Sequence, residues 1–485
     1  MQNGRVAKLL GIDVGTSGAK ALLIDERGQV LRAASASYPL LAPKPLWTEQ
    51  NPEDWWRGVC SCIREIGEPA PDAIGLTGQM HGAVFLDREG APLRPAILWN
   101  DQRTVAESEE IDRLAGAESV RRITRNPPLT GFQAPKILWL RRNEPDNFAK
   151  TALVLLPKDY IRLRLSGSSC TDVSDASGTA LFDVPARDWS EELFLSLGLP
   201  QSLVPQAYES FEVCSETNGE GGLDKGLPTV AGAGDQAAGA VGAGAVVPGL
   251  VSVSLGTSGV AFTALEAPSF DPGGAAHTFC HANGAWHAMG VMLSCGGALE
   301  WFRSVFAPAM SFDELAAAAS HAPPGAEGLC FLPYLAGERT PHNDPTARGA
   351  FVGATLAHRF EHFARAVFEG VTFGLLDCMG TLRELGASPE SLRVTGGGAK
   401  SGFWVQMLAD CSRLACGGLA VDEGPAFGAA ILAGVGIGLW PDVATACSEA
   451  VREKEVTMPS GMDYSAAYRR YGELYPSLSS WFSMP

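Results

Sequence analysis

The chain has 485 residues, a formal net charge of −17, 46% apolar residues and a mean hydropathy of +0.05. That length allows two domains with cores of their own, and the acidic balance excludes non-specific binding to nucleic acid or to an anionic membrane. The 11 cysteines, scattered from Cys60 to Cys447 with no Cys-x-x-Cys pair, indicate neither a disulfide framework nor a zinc site; they read as small buried hydrophobes in a reducing compartment.

In chain order, aliphatic and β-branched runs predict a meander of strands over 8–14, 19–25 and 29–37, with Glu26-Arg27-Gly28 as a turn. The first two are joined by Gly15-Thr16-Ser17-Gly18. Such a turn presents backbone N–H groups and hydroxyls with no bulky side chain in the way, which suits a phosphate. Asp13 lies two residues before it. A carboxylate beside a phosphate loop is unfavourable unless a cation separates them, so Asp13 reads as a Mg²⁺ position. An Asp that merely caps its own turn would leave the same sequence.

Asn51 and Pro52 predict a helix start, as cap and first helical residue. A strand over 73–76 ends in Thr77-Gly78-Gln79-Met80-His81-Gly82, and short strands follow at 84–86 and 96–99, the latter ending in Asn100-Asp101. Helices are predicted over 101–117 and 134–143, then a strand over 154–156 that runs into Pro157-Lys158-Asp159-Tyr160. Gln79, Met80, His81, Trp99, Asn100 and Asp101 thus gather polar groups and flat apolar surface at strand ends. Polyols and open-chain sugars are bound by such mixtures.

The first half closes on Ala231-Gly232-Ala233-Gly234-Asp235-Gln236. A strand end without side-chain bulk lets a substrate hydroxyl approach the Asp235 carboxylate, which can take its proton as a phosphoryl group transfers. Asp235 also falls where a helix N-cap belongs. The Gly/Ala-rich stretch that follows reads as strand, turn and helix, and Pro248-Gly249 marks the boundary between domains 1–247 and 248–485.

The second half repeats the plan. Gly256-Thr257-Ser258-Gly259 is a second copy of the turn, with Ser254 where the first copy has Asp13. Two such turns facing one another would grip a polyphosphate from both sides, with a carboxylate on one side only. Helices are predicted over 295–305, 312–320 and 361–385. Glu338-Arg339-Thr340-Pro341-His342 is a polar loop that closes on a substrate, bridges the domains, or is a solvated turn. A strand over 392–395 ends in Gly396-Gly397-Gly398-Ala399, bare backbone against which a nucleoside ring can lie. A helix over 402–412 follows, Gly424-Pro425 opens another, and only helices are expected beyond 441. The longest apolar stretch, 426–440, is shorter than the roughly 18 residues a membrane span needs. A cleaved leader would remove Asp13, so a cytoplasmic location is expected.

In this order the motifs resemble the FGGY carbohydrate kinases of the actin, Hsp70 and sugar-kinase superfamily, from about Lys8 to Tyr471. The resemblance rests on Gly11-Ile12-Asp13-Val14-Gly15-Thr16-Ser17-Gly18, Gly78-Gln79-Met80-His81-Gly82, Ile97-Leu98-Trp99-Asn100-Asp101, Leu156-Pro157-Lys158-Asp159-Tyr160, the second glycine turn and Gly337-Glu338-Arg339-Thr340-Pro341-His342. It implies an α/β fold of two ribonuclease-H-like domains closing on a catalytic cleft, and ATP-dependent, Mg²⁺-assisted phosphorylation of a ketopentose, D-xylulose. Asp235 would then be the catalytic base, and Asp13 would join it at the Mg²⁺ site, partly through water. Gln79, Met80, His81, Trp99, Asn100, Asp101 and Gln236 would line the sugar. Gly15, Thr16, Ser17, Gly256, Thr257 and Ser258 would hold the ATP phosphates, and Gly397, Gly398 and Ala399 the nucleoside.

The partners implied are a small sugar and, through the family, a second copy of the chain, with no nucleic acid or membrane. Gln236 departs from the usual Asn, and Gln133 and Ala354 depart from a small hydroxyl residue and a larger aliphatic. Another ketopentose, a polyol or a deoxysugar stays open as the acceptor, as does a catalytically silent sugar sensor.

Overall fold

The computed structural model describes residues 6–68, 70–421 and 423–484; the outermost residues of the two expected domains, 1–5 and 485, lie outside them. Two seven-stranded mixed sheets carry the molecule, one per half. In the first, Lys8–Val14, Gly18–Asp25 and Val30–Ser37 form the expected antiparallel meander. Ala73–Gly78 lies parallel to the first strand, so Asp13 is opposite Lys20 on one side and Thr77 on the other. Pro228–Val230 and Ala233–Gly234 continue along the far edge of Ala73–Gly78. The second sheet copies this core. Leu250–Leu255 is antiparallel to Gly259–Leu265 and parallel to Ser391–Thr395, which places Ser254 where Asp13 stands in the first.

The helix Pro52–Ile66 starts as its sequence dictates: the Asn51 side chain accepts from Glu53 N–H, Pro52 opens the first turn, and Trp55, Val59, Cys62, Ile63 and Ile66 form the buried stripe. Four differences from the sequence reading have local causes. The helix expected over 101–117 is two, Val105–Ala115 and Ala117–Thr124, because Gly116 takes a positive φ of 81° between them. Asp235 is the first residue of the helix Asp235–Gly242 and not its cap; the cap is Gly234, whose N–H is bound by Ser174 Oγ and held extended. The tail beyond 441 includes a strand, Glu453–Thr457, at the sheet edge. Its charged, exposed residues hide the period-2 pattern, as edge strands commonly do. Finally, Cys170 and Cys214 are joined in a disulfide, a pairing across 44 residues that spacing does not signal.

The halves are bound by a helix of the second that lies on the sheet of the first. Pro425–Gly436 crosses Lys8–Val14 and Ala73–Gly78 with backbone almost touching backbone. A Cβ at Gly75 would fall 1.9 Å from the Ala429 carbonyl oxygen. Gly75→Ala therefore has no flexible side chain to displace, and the sheet and helix must separate. Overpacking of this kind costs about 1–3 kcal/mol or more, so a lowered melting temperature is expected. Gly380→Ala is the control: it sits within the helix Phe360–Glu384 with nothing within 4 Å of the new carbon, and should melt no lower than the parent. Equal melting of all three proteins would refute the packing argument. Among the described residues no helix is long and apolar enough to cross a membrane.

Candidate active site

Asp13, near the end of its strand, and Asp235, at the head of its helix, come to the same place. Burial, and then the neighbouring Asp235 charge, push the Asp13 carboxyl up to about 7, with Lys20 opposing. Burial likewise raises Asp235 to about 6, opposed by hydrogen bonding from Gln236, whose Nε2 donates to Asp235 Oδ1 at 3.3 Å. A cavity of about 280 Å³ opens at Asp235, lined by Asp235, Gln236, Gly239, Ser252, Ser254 and Gly396 among others. It joins the carboxylate of the first half to the bare strand ends of the second. Thr257 and Ser258 are exposed, and the Thr257 carbonyl accepts from Cys295 N–H and Gly297 N–H as the helix Gly296–Phe306 begins. Gly397, Gly398 and Ala399 form a single 3₁₀ turn after Ser391–Thr395.

Asp13 Oδ1 is out of solvent with no hydrogen-bond partner, an orphaned oxygen next to a second raised carboxyl. Two such groups and nearby phosphates suit a hydrated Mg²⁺, which commonly takes one or two carboxylates and keeps several waters. Among the described residues no three His, Cys, Asp or Glu side chains converge to hold a metal unaided. Lys20, across the hairpin from Asp13, escaped the sequence reading. Its ammonium pairs with Glu423, and its register opposite an acid was the signal that could have found it.

Of the sugar-lining candidates, Met80 lies against Gly234, next to Asp235, and His81 against Gly178. Met80 lies over Gly234, where a Cβ would stand 2.8 Å from its Cγ, so a side chain there would evict it. His81 has a left-handed φ of 68°, held from both ends: Nδ1 donates to the Gly178 carbonyl at 2.8 Å, and Lys136 Nζ donates to the His81 carbonyl at 2.7 Å. Burial, with Lys136 adding to it, lowers the imidazole to about 3. The ring is thus neutral, with Nε2 left as an acceptor for a hydroxyl. Phe132 packs on it at 4.8 Å between ring centroids.

Gln79 and Asp101 are buried and taken up by partners within the protein. Gln79 Oε1 accepts from Thr16 Oγ1, and its Nε2 donates to Gln50 Oε1 at 2.9 Å and to the Gly15 carbonyl at 3.4 Å. Gln50 in turn donates to the Thr16 carbonyl and accepts from Trp55 Nε1. The amides hold the first glycine turn in shape. Asp101, fully buried, takes the Arg103 guanidinium on both oxygens and the Thr48 N–H. Asn100 accepts from Thr48 Oγ1, and Trp99, half exposed, donates to Thr16 Oγ1 at 3.0 Å.

Beneath Asp235 lies a buried charge cluster that the sequence reading quoted only as a motif. Lys158 Nζ is 2.6 Å from Asp159, 2.9 Å from Asp172 and 3.3 Å from Asp175, all fully buried. Asp172 accepts from Ser174 Oγ, the same hydroxyl that holds Gly234 N–H. The Glu338–His342 loop is no solvated turn: Glu338 and Thr340 are buried, and Arg339 reaches His277.

The architecture is that of a two-domain, actin- and Hsp70-like phosphotransferase with a cavity lined from both halves. Models of the FGGY family of carbohydrate kinases match its N-terminal domain over residues 8–242 and its C-terminal domain over 251–437. The chain is 44% identical over 436 residues to a xylulose kinase of Escherichia coli K12 (87% of this chain, 89% of the relative), and 37% identical to one of Bacillus subtilis strain 168 (97% and 96%). The crystal structure of a xylulose kinase from Rhodospirillum rubrum superposes with a TM-score of 0.91 at 30% identity, covering 98% of this chain and all of that one. The protein belongs to the FGGY carbohydrate kinase family and is a sugar kinase.

Proposed function

We propose that the protein transfers the γ-phosphoryl group of ATP to the primary C5 hydroxyl of D-xylulose, with Asp235 as general base. The observation that carries this is the raised, half-buried Asp235 carboxyl at the head of its helix, facing one cavity with Ser252, Ser254 and Gly396. A carboxyl near 6 is ionised at neutral pH yet still basic enough to share a hydroxyl proton. His81 Nε2 and Met80 would meet the sugar chain, and Gln236 would border the reacting end while orienting Asp235. The two Gly-Thr-Ser-Gly turns, with Lys20 beside the first, would take the phosphates, and residues 397–399 the nucleoside. Asp13, with Asp235 through water, would hold Mg²⁺, which when bound neutralises phosphate charge. Closure of the halves would exclude the water that competes for the phosphoryl group. A cytoplasmic setting, where ATP is made available, goes with this reading.

The test is ADP release by the purified protein with Mg-ATP and D-xylulose, D-ribulose, L-xylulose, L-fuculose, glycerol or no sugar. A response at least tenfold stronger to D-xylulose is expected. Preference for another acceptor would refute the substrate and keep the kinase; the absence of any sugar-dependent turnover would refute both.

A further inference from the structure

Arg339 is a polar side chain near His81 that makes one side-chain hydrogen bond among the described residues. Its backbone is fixed on both sides. Glu338 Oε1 accepts from the N–H groups of Leu293 and Arg339, while Thr340 Oγ1 donates to the Ala275 carbonyl and accepts from Val291 N–H. The guanidinium donates to His277 Nε2 at 3.4 Å, its one side-chain partner among the described residues, and none of their carboxylates lies within ion-pair distance. Because Nε2 accepts, His277 carries its proton on Nδ1 and donates to Asn126 Oδ1 at 3.1 Å. Asn126 belongs to the first half and is locked by donating to the carbonyls of Thr124 and Thr278. An arginine of the second half is thereby seated on the first.

That seat adjoins His81. His277 stacks on Phe279 at 5.6 Å, and both Phe279 and Phe132 border the His81 ring. Met80, the residue before His81, lies over Gly234 next to Asp235, whereas Arg339 comes to the His81 ring through His277 and Phe279. That succession of contacts sets Arg339 at the end of the site away from the base. A guanidinium has five N–H donors. One is used here; Arg339 is partly exposed, and its other donors are open to the oxygens of a ligand in place of water.

We propose that Arg339 is a specificity-determining residue that reads the end of the acceptor remote from Asp235, donating to the carbonyl oxygen of a 2-ketose. This rests on the ketopentose reading of the site. With the reacting hydroxyl at Asp235 and the chain against His81, the flat carbonyl carbon meets the flat guanidinium fork. A polyol offers a tetrahedral carbon there, with no fixed plane.

The test compares the parent protein with Arg339→Met and Arg339→Lys, reading KM and kcat for D-xylulose, KM for ATP, the inhibition constant of xylitol against D-xylulose, and melting temperature. Arg339→Met should raise KM for D-xylulose on the order of 100-fold, the worth of a charged hydrogen bond, with kcat and KM for ATP within about threefold. Xylitol inhibition should weaken less than about threefold, and Arg339→Lys, which keeps charge without the fork, should fall between. An unchanged KM for D-xylulose, or equal loss for ketose and polyol, overturns the assignment. If the parent protein turns over no ketopentose, the acceptor reading fails by itself. Arg339 is then judged on the acceptor the parent does use: a KM effect confined to acceptors with a remote C=O supports it, and indifference to that group, or an absence of any acceptor, overturns it.

Discussion

Asp235→Asn is expected to lower kcat by roughly 10²–10⁴-fold, the range that a positioned general base contributes, while the affinity for ATP stays within about threefold. The side chain keeps its shape, so Met80 still lies over Gly234 and the cavity keeps its walls. What is lost is the proton acceptor. Retention of full sugar-dependent turnover by this variant would remove Asp235 from the mechanism. The same substitution separates protonation from geometry. With Asp235 raised to about 6, kcat/KM of the parent protein should fall below about pH 6 as the carboxylate takes up a proton, and residual activity of the variant should lack that limb.

The stability of the metal-free protein should move the opposite way. A carboxyl whose folded value lies above its ordinary 3.8 binds protons more tightly in the native state. Its stabilising contribution is therefore complete below about pH 4 and is lost as pH climbs through 6. At pH 8 the native state holds Asp235 charged and half-buried beside Asp13, and Asn relieves that strain. The variant should melt at least a degree or two higher than the parent at pH 8, and the two should converge near pH 4. A lower melting temperature for Asp235→Asn at pH 8 would mean that the carboxylate is held by partners that stabilise it. Such a trade of stability for activity is common where a site needs an ill-solvated charge.

How much of this was legible in the chain depended on distance along it. The two glycine turns, the meander around Asp13, the helix start at Pro52 and the strand ending at Thr395 are local patterns of period and turn chemistry. Gln79 and Asp101 were grouped with the sugar because they end strands near His81. Whether such a side chain faces the cleft or the turn behind it depends on register and on partners such as Gln50 and Arg103, which no local period encodes. The His277–Arg339 contact spans 62 residues and the His277–Asn126 contact 151, so neither leaves a pattern in any window of sequence. The same holds for the Lys158 cluster, assembled from the start of one helix, the end of the strand Cys170–Asp172 and the short helix Val173–Ala176. There the motif was visible and its meaning was not.

That cluster supports the second large effect, the loss of stability in Lys158→Met. Lys158 follows Pro157 in the first turn of the helix Pro157–Ser166 and is fully buried. Burial alone would depress its ammonium, but Asp159, Asp172 and Asp175 hold it charged. Arg162, also buried, adds a second cation near Asp159 and donates to the Val230 carbonyl, on the strand that leads toward Asp235. Three carboxylates against two cations leave one negative charge in excess, and burial pushes Asp175 well above the ordinary carboxyl range. Removing the ammonium leaves the carboxylates facing one another out of water, with Arg162 as the one cation within ion-pair distance among the described residues. Breaking a buried ion pair from one side commonly costs about 3–5 kcal/mol, so melting should fall by roughly 5–15 °C. Adding Asp175→Asn to Lys158→Met should restore part of that loss, because it deletes one of the stranded acids. The active site feels the same change through Ser174, which links Asp172 to the Gly234 N–H beside the base. Residual kcat of the folded single variant should therefore fall further than KM for either substrate rises. Unchanged melting in Lys158→Met, or no recovery in the double variant, would show that the cluster is not what braces Asp235.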